Sequence, residues 1–374
     1  MDRNLKKQIK VFIIEDSPVA LKILKRVLES SQDIKIVGTA NNGVAALEQI
    51  PLLKPDLICT DLVMSKMDGL EFTKTLMSTF PLPILVISES VNTNDNKKIT
   101  QLKEAGVLDI FPKPETGFIQ DYEKQANSLI SKIKILAGVK VFTKRNPNQQ
   151  TNPLTSKNTI TINSLEVTSP ERPKVFRPNK NLHYQVIGIG MSTGGPKAIE
   201  QILKQLPANF PLPIICTQHI STGFLSGLIT SLNLATALQV KIAQIGETPQ
   251  PGIVYFAPEN YHLEIRENKK FAYSSADPVD NHRPSATVML NSLAQSYGNT
   301  TVGIILTGMG RDGAAGMAEV KQKGGLTIAQ DEASSIIFGM PKEAIKLGVV
   351  EQIMPLSSIA PFLIEQVKIS TKIS

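Results

Sequence analysis

Short, β-branched apolar runs alternate with amphipathic stretches from about the tenth residue onward. Residues 11–14 precede a helical pattern over 18–28, 34–39 precede 43–50, and 57–60 precede 69–77. Two further pairs follow, 84–87 with 94–104 and 108–111 with 120–136. Apolar runs of four to six residues without polar alternation are buried on both faces. Five of them, each followed by a helix, predict an α/β fold with a doubly wound, five-stranded parallel sheet. The same alternation resumes later, with 186–189 before a helix from Pro196, 214–217 before 224–232, and 302–306 before 314–322. Between them, 253–256, 262–265 and 271–274 have the length and composition of short antiparallel strands. The second unit is therefore also doubly wound and mostly parallel, with a short antiparallel part.

The stretch between the two units differs in kind. Residues 138–182 hold eight basic against two acidic residues and five prolines, in a background of Asn, Thr and Ser. That composition predicts a solvated linker and divides the chain into 1–137, 138–182 and 183–374. The linker also carries six of the seven net positive charges, so the basic balance does not mark a nucleic-acid surface, which would set cations on a folded element. A helix-turn-helix output unit is excluded by the α/β alternation of the last part. No apolar run reaches the roughly 18 residues that a membrane span needs. At the start, residues 11–14 are cut short by Glu15 and Asp16, too early for a signal peptide. Cys59 and Cys216 both fall in strand-like runs, as buried unpaired thiols of a reducing compartment would. A cytoplasmic monomer, not inserted in a membrane, is expected.

In an open parallel sheet, chemistry gathers beyond the carboxyl ends of the strands. Glu15 and Asp16 follow the first strand, Asp61 the third, Ser88 the fourth and Lys113 the fifth. Carboxylates converging on one edge repel one another unless a hard cation such as Mg²⁺ lies among them. A hydroxyl and an ammonium group beside them suit the oxygens of a phosphoryl group carried on one carboxylate.

With Ile14-Glu15-Asp16-Ser17, Thr60-Asp61, Met67-Asp68-Gly69-Leu70, Ser88 and Lys113-Pro114 in place, residues 10–137 resemble a response-regulator receiver domain. The resemblance implies a flavodoxin-like fold with Asp61 as phospho-acceptor. It implies Mg²⁺ held by Glu15, Asp16, Asp61 and the Val63 carbonyl, with Ser88 and Lys113 contacting the phosphoryl group. Ser65 stands where the family usually has Pro, and Ile110 where an aromatic residue is common.

In the second unit, Gly190-Met191-Ser192-Thr193-Gly194 lies between a strand and a helix, the setting of a nucleophile elbow. The competing reading is a phosphate-cradling turn, because Gly188-Ile189-Gly190 opens like a dinucleotide fingerprint. That site needs an acid at the end of the next strand to hold a ribose hydroxyl. Gln218-His219 stands there instead, and a histidine suits a general base. His183 precedes a strand and belongs at the opposite edge. His262 falls in an antiparallel strand, and His282, in Asp280-Asn281-His282-Arg283-Pro284, is placed for substrate contact. The orienting carboxylate is Asp312, after the strand 302–306, with Asp277, Asp280 and Asp331 as rivals.

Leu306-Thr307-Gly308-Met309-Gly310-Arg311-Asp312-Gly313-Ala314 gives residues 183–368 a second resemblance, to the catalytic domain of chemotaxis protein-glutamate methylesterases. Ala329-Gln330-Asp331-Glu332 and Phe338-Gly339-Met340-Pro341-Lys342-Glu343-Ala344 carry it too. It implies Ser192 as nucleophile, His219 as base and Asp312 as orienter, with Thr193 and Met309 lining the oxyanion site. The implied reaction is hydrolysis of glutamyl methyl esters on methyl-accepting chemoreceptors, with deamidation of selected glutamines by the same residues. A chemotaxis histidine kinase would supply the phosphoryl group. Ile220-Ser221-Thr222 replaces the usual Met-Pro-Pro, and Thr287 the Asp that usually follows Arg-Pro-Ser; both departures are expected near the substrate entrance.

Overall fold

The structure, a computed structural model, describes residues 8–88, 101–102, 104–114, 119–139, 141, 183–220 and 222–371. The helix expected over 94–104 and the basic stretch 138–182 fall largely outside those residues.

Five parallel strands form the first sheet: β1 (Ile9–Ile14), β2 (Ile34–Ala40), β3 (Leu57–Thr60), β4 (Ile84–Ser88) and β5 (Asp109–Pro112), in the order β2-β1-β3-β4-β5. The helices are α1 (Pro18–Glu29), α2 (Gly43–Leu53), α3 (Gly69–Thr79) and α4 (Ile119–Leu136). Strand alternation sorts the apolar side chains onto two faces. Phe12, Ile14, Ile58 and Val86 enter one core with residues of α2 and α3. Val11, Ile13, Cys59 and Leu85 enter the other with residues of α1 and α4. Helix starts follow local chemistry: Ser17 Oγ accepts from Ala20 N ahead of Pro18, and the Asp68 carboxylate accepts from Leu70 N and Glu71 N.

The second sheet runs β14-β13-β12-β6-β7-β9-β8, all parallel. Its strands are β6 (Val186–Met191), β7 (Ile214–Gln218), β8 (Gln239–Ile242), β9 (Ile253–Phe256), β12 (Thr301–Ile305), β13 (Leu326–Gln330) and β14 (Gln352–Met354). A separate antiparallel pair is made by β10 (His262–Ile265) and β11 (Phe271–Ser274). Helices α5 (Gly195–Leu203), α6 (Leu225–Ala235), α7 (Ala286–Tyr297), α8 (Ala314–Gln322), α9 (Met340–Lys346) and α10 (Leu356–Thr371) cover the sheet and its edges. The expectation of three antiparallel strands is corrected for β9, which lies between β7 and β8 in the parallel sheet. Val254, Tyr255 and Phe256 are buried without alternation, as in a strand covered on both faces.

Both sheets have a switch point, where the strand order reverses and a crevice opens at the carboxyl ends. In the first it lies between β1 and β3, in the second between β6 and β12. The residues singled out from sequence cluster at these two places. Among the described residues, no helix is long and apolar enough to cross a membrane.

Candidate active site

At the first switch point, Glu15, Asp16 and Asp61 each bring an oxygen within 4.8 Å of the other two. Lys113 Nζ lies 2.7 Å from Asp61 Oδ2 and 3.1 Å from Glu15 Oε1. Burial pushes the Glu15 carboxyl above its ordinary pKa despite Lys113, and the neighbouring Asp61 charge pushes the same way. Burial alone would lower Lys113, but its bonds to Asp61 and Glu15 hold it above its usual value. Ser88 is buried at the end of β4, its carbonyl accepting from Lys113 N, and Val63 is exposed two residues beyond Asp61. An all-oxygen donor set with excess negative charge fits a hard divalent cation.

The second switch point is built from three strand ends. Ser192 follows β6 and is 8% exposed. The chain then turns through Gly194, whose φ of 83° lies in the left-handed region where a side chain is strained, and enters α5. From the neighbouring strand end, the loop after β12 presses against the serine. A Cβ on Gly308 would lie 2.8 Å from Ser192 Cβ and 2.4 Å from Met340 Sδ, so only glycine allows the approach. After β7, Gln218 Nε2 donates to the carbonyls of Ser192 and His219, at 2.9 and 2.8 Å, and thereby ties the two strand ends together.

Asp312 is fully buried, and His219 Nε2 lies 2.7 Å from its Oδ2. The carboxylate sits on the amino end of α7, accepting from Ser285 Oγ at 2.6 Å, Ala286 N at 2.7 Å and Thr287 N at 3.0 Å. Burial alone would raise its pKa, but His219, Ser285 and the Ala286 amide hold it well below the carboxylate range. Because a carboxylate oxygen accepts, Nε2 of His219 is the donor to Asp312, and in a neutral imidazole the lone pair is then on Nδ1. That Nδ1 is buried with no hydrogen-bond partner among the described residues. Of the rivals, Asp280 lines the same cavity but pairs with Arg311, and Asp331 binds Ser334.

One residue behind this group escaped the sequence reading, and a second, His262, was read only as a histidine of an antiparallel strand. Ser285 both caps α7 and holds Asp312. His262, fully buried, accepts from Ser285 N through Nδ1 and donates from Nε2 to Asp277 O, so it braces the cap. The signal was present, since a serine after Arg283-Pro284 and before an apolar 3–4 spacing is an N-cap pattern. The position of Thr287 corrects a further expectation. It is 7% exposed and its Oγ1 accepts from Gly313 N, so it braces the loop holding Asp312 instead of lining an entrance.

Ser192, His219, Thr193 and Met309 open onto a cavity of about 900 Å³ whose other wall is the first half of the chain. Thr193 Oγ1 donates to Asp109 Oδ2 at 2.9 Å, and Asp109 also pairs with Lys132 at 2.6 Å. Burial works to raise the Asp109 pKa, but Lys132 and the bonds from Ile110 and Thr193 keep it lowered. Phe224 and Ile220 pack into the core containing Ile110 and Leu102, while Ile337, Ile336 and Met309 join the one containing Phe111 and Ile130.

An acid cluster at one switch point and a hydroxyl, imidazole and carboxylate at the other define a response regulator with an enzymatic output half. Comparison with known proteins agrees: residues 11–118 match the response regulator receiver domain family and residues 187–363 the CheB methylesterase family. A curated relative in Methanospirillum hungatei, protein-glutamate methylesterase/protein-glutamine glutaminase 2, is 36% identical over 95% of this chain and 97% of its own. A relative of that class in Carboxydothermus hydrogenoformans is 39% identical over 94% of this chain and 97% of its own. The crystal structure of the Thermotoga maritima CheB methylesterase catalytic domain shares 40% identity at a TM-score of 0.48, covering 49% of this chain and 99% of that one. The chain belongs to the CheB methylesterase family, a methylesterase domain preceded by a response-regulator receiver.

Proposed function

We propose that this protein hydrolyses glutamyl methyl esters on methyl-accepting chemoreceptors through Ser192, His219 and Asp312, under control of a phosphoryl group on Asp61. The observation that carries the reading is the ionised, triply anchored Asp312 holding His219 at 2.7 Å, with the lone pair of Nδ1 left free. In the first step, Ser192 Oγ bonds to the ester carbonyl carbon while its proton passes to Nδ1 of His219. The C–O bond to methanol breaks as His219 returns that proton to the leaving oxygen. Water then attacks the glutamyl-enzyme by the reverse use of the same imidazole, releasing the glutamate carboxylate and Ser192. Thr193 and Met309 line the oxyanion side. The same steps with ammonia leaving would deamidate a receptor glutamine, as the names of the relatives suggest.

In the first half, Glu15, Asp16, Asp61 and the Val63 carbonyl would hold Mg²⁺, which neutralises charge at a phosphorylated carboxylate when bound. Ser88 and Lys113 contact the phosphoryl oxygens, and a chemotaxis histidine kinase is the donor. Lys113 and Asp109 lie at the two ends of the β5 segment, so one short strand links the phosphorylation site to Thr193. We place the enzyme in the cytoplasm, as a monomer of units 1–137 and 183–374 joined by the linker 138–182. The test is methanol release from membranes bearing methylated receptors, with and without a phosphodonor. Ser192→Ala should lower release at least about a thousandfold while the receiver still accepts phosphate. A folded Ser192→Ala protein that keeps most of the activity would remove the serine assignment.

A further inference from the structure

His282 lies outside the hydrogen-bonded chain described above, yet it has the closest aromatic contact with His219. The two rings stack at a centroid separation of 3.7 Å and an interplanar angle of 12°. The segment that presents His282 is built for rigidity. Val279 and His282 exchange both backbone hydrogen bonds, at 3.1 and 2.9 Å. Between them Asp280 and Asn281 take φ values of 49° and 65°, a turn that Asp and Asn tolerate better than other side chains. Asp280 then reaches Arg311 Nε at 2.6 Å, fastening the turn to the loop that carries Asp312.

The cluster of His219, His282 and Asp312 has the composition of a transition-metal site. Its geometry argues otherwise. Imidazole lone pairs lie in the ring planes, and two near-parallel stacked rings with centroids 3.7 Å apart cannot both hold one ion in plane. The stack has a different use. A base that gains a proton in each half-reaction needs a fixed ring plane and a neighbour that tolerates the positive charge. The π face of a neutral ring meets both needs, whereas a second cation would repel it. Burial, followed by repulsion from His219, brings the His282 pKa down to about 4, against the opposing pull of Asp312 and Asp280. The other charged groups at this place are Arg311 and Lys197, and across the cavity Asp109, Glu123 and Lys132.

We propose that His282 is a positioning residue of the esterase, whose ring face holds His219 in plane with Nδ1 turned to Ser192 and supports the imidazolium formed during acyl transfer. This rests on the reading of Ser192, His219 and Asp312 given above.

The test is saturation kinetics of methanol release by the phosphorylated full-length chain, comparing wild type, His282→Ala, His282→Leu, His282→Phe and Ser192→Ala, each checked for folding by circular dichroism. Alanine should lower kcat roughly 10- to 100-fold with KM changed less than about twofold, as expected for a misplaced base. Phenylalanine, which restores a flat neutral face without a titrating nitrogen, should recover most of that loss. Leucine, which fills the volume without the face, should resemble alanine and serves in its place if the alanine protein does not fold. Three results would overturn the proposal. Phenylalanine as slow as alanine would mean that the nitrogens act. A raised KM with unchanged kcat would make His282 a substrate contact. Leucine as fast as phenylalanine would reduce it to packing. If Ser192→Ala stayed active, the esterase reading itself would fall, whatever the His282 series showed.

Discussion

His282 and Asp312 have opposite electrostatic fates within a few ångströms of one imidazole. Burial favours the neutral form of His282, whereas Asp312 keeps its charge because four donors replace the water it has lost. Each shift is also a statement about stability. The His282 pKa falls from 6.5 when unfolded to about 4 when folded, so the unfolded chain binds the extra proton within that window. Its contribution is complete above pH 6.5 and is lost as the pH falls towards 4, on the order of 3 kcal/mol at most. Asp312, with its pKa depressed, gives stability that is present above its ordinary value of 3.8 and is lost at more acid pH. Chemical denaturation of wild type and His282→Phe from pH 7 to 4 should therefore show a difference in unfolding free energy that changes across the window in favour of the variant. A constant difference would mean that His282 is not held neutral. The sequence placed His282 near the site as a candidate for substrate contact, and nothing in Asp280-Asn281-His282 shows that a tight turn will lay its ring on that of His219.

The elements that position the chemistry were legible wherever period and strand-end residue type coincide. Ser192, His219 and Asp312 were each placed at a strand end, and the structure brings all three to one crevice. What was not legible depended on long-range pairing. The run 253–256 is apolar, but its parallel partners β7 and β8 are set by tertiary context that no local pattern encodes. The helix α7 went unread although Met289, Leu290, Leu293 and Ala294 keep helical spacing, and with it went the cap that anchors Asp312. Close approach between elements was equally hidden, since Gly308 looks like any loop glycine. A methyl group there would meet Ser192 Cβ at 2.8 Å and push the β12 loop away from β6. Gly308→Ala should cost about 1–3 kcal/mol of stability and lower kcat more than about tenfold, because the strain falls on the serine. Thermal melts and methanol release measure both. Wild-type kcat in a destabilised Gly308→Ala protein would show that the elbow does not depend on this contact.

At the scale of the whole molecule, β5 and α4 of the receiver face the Ser192 cavity, and a long, basic stretch joins the two halves in sequence. Among the described residues, the docked arrangement rests on contacts between the two halves. Asp109 makes the most specific of them, a hydrogen bond from Thr193, the residue next to Ser192. Removing one such bond shifts the docking equilibrium by about 1 kcal/mol, a factor of roughly five. Asp109→Ala should therefore raise the unphosphorylated rate about fivefold and leave the fully phosphorylated rate nearly unchanged. Asp61→Asn should hold the chain at its basal rate whatever phosphodonor is added. Equal basal rates in wild type and Asp109→Ala would mean that this bond does not restrain the enzyme. The account as a whole turns on one serine doing the hydrolysis and one aspartate governing it. Methanol release from methylated receptor membranes by wild type, Ser192→Ala and Asp61→Asn, each with and without a small-molecule phosphodonor, tests both at once. The account predicts at least a tenfold phosphodonor response in wild type, the unstimulated rate in Asp61→Asn under either condition, and background release from Ser192→Ala throughout. Phosphodonor-stimulated methanol release from a folded Ser192→Ala protein would contradict it.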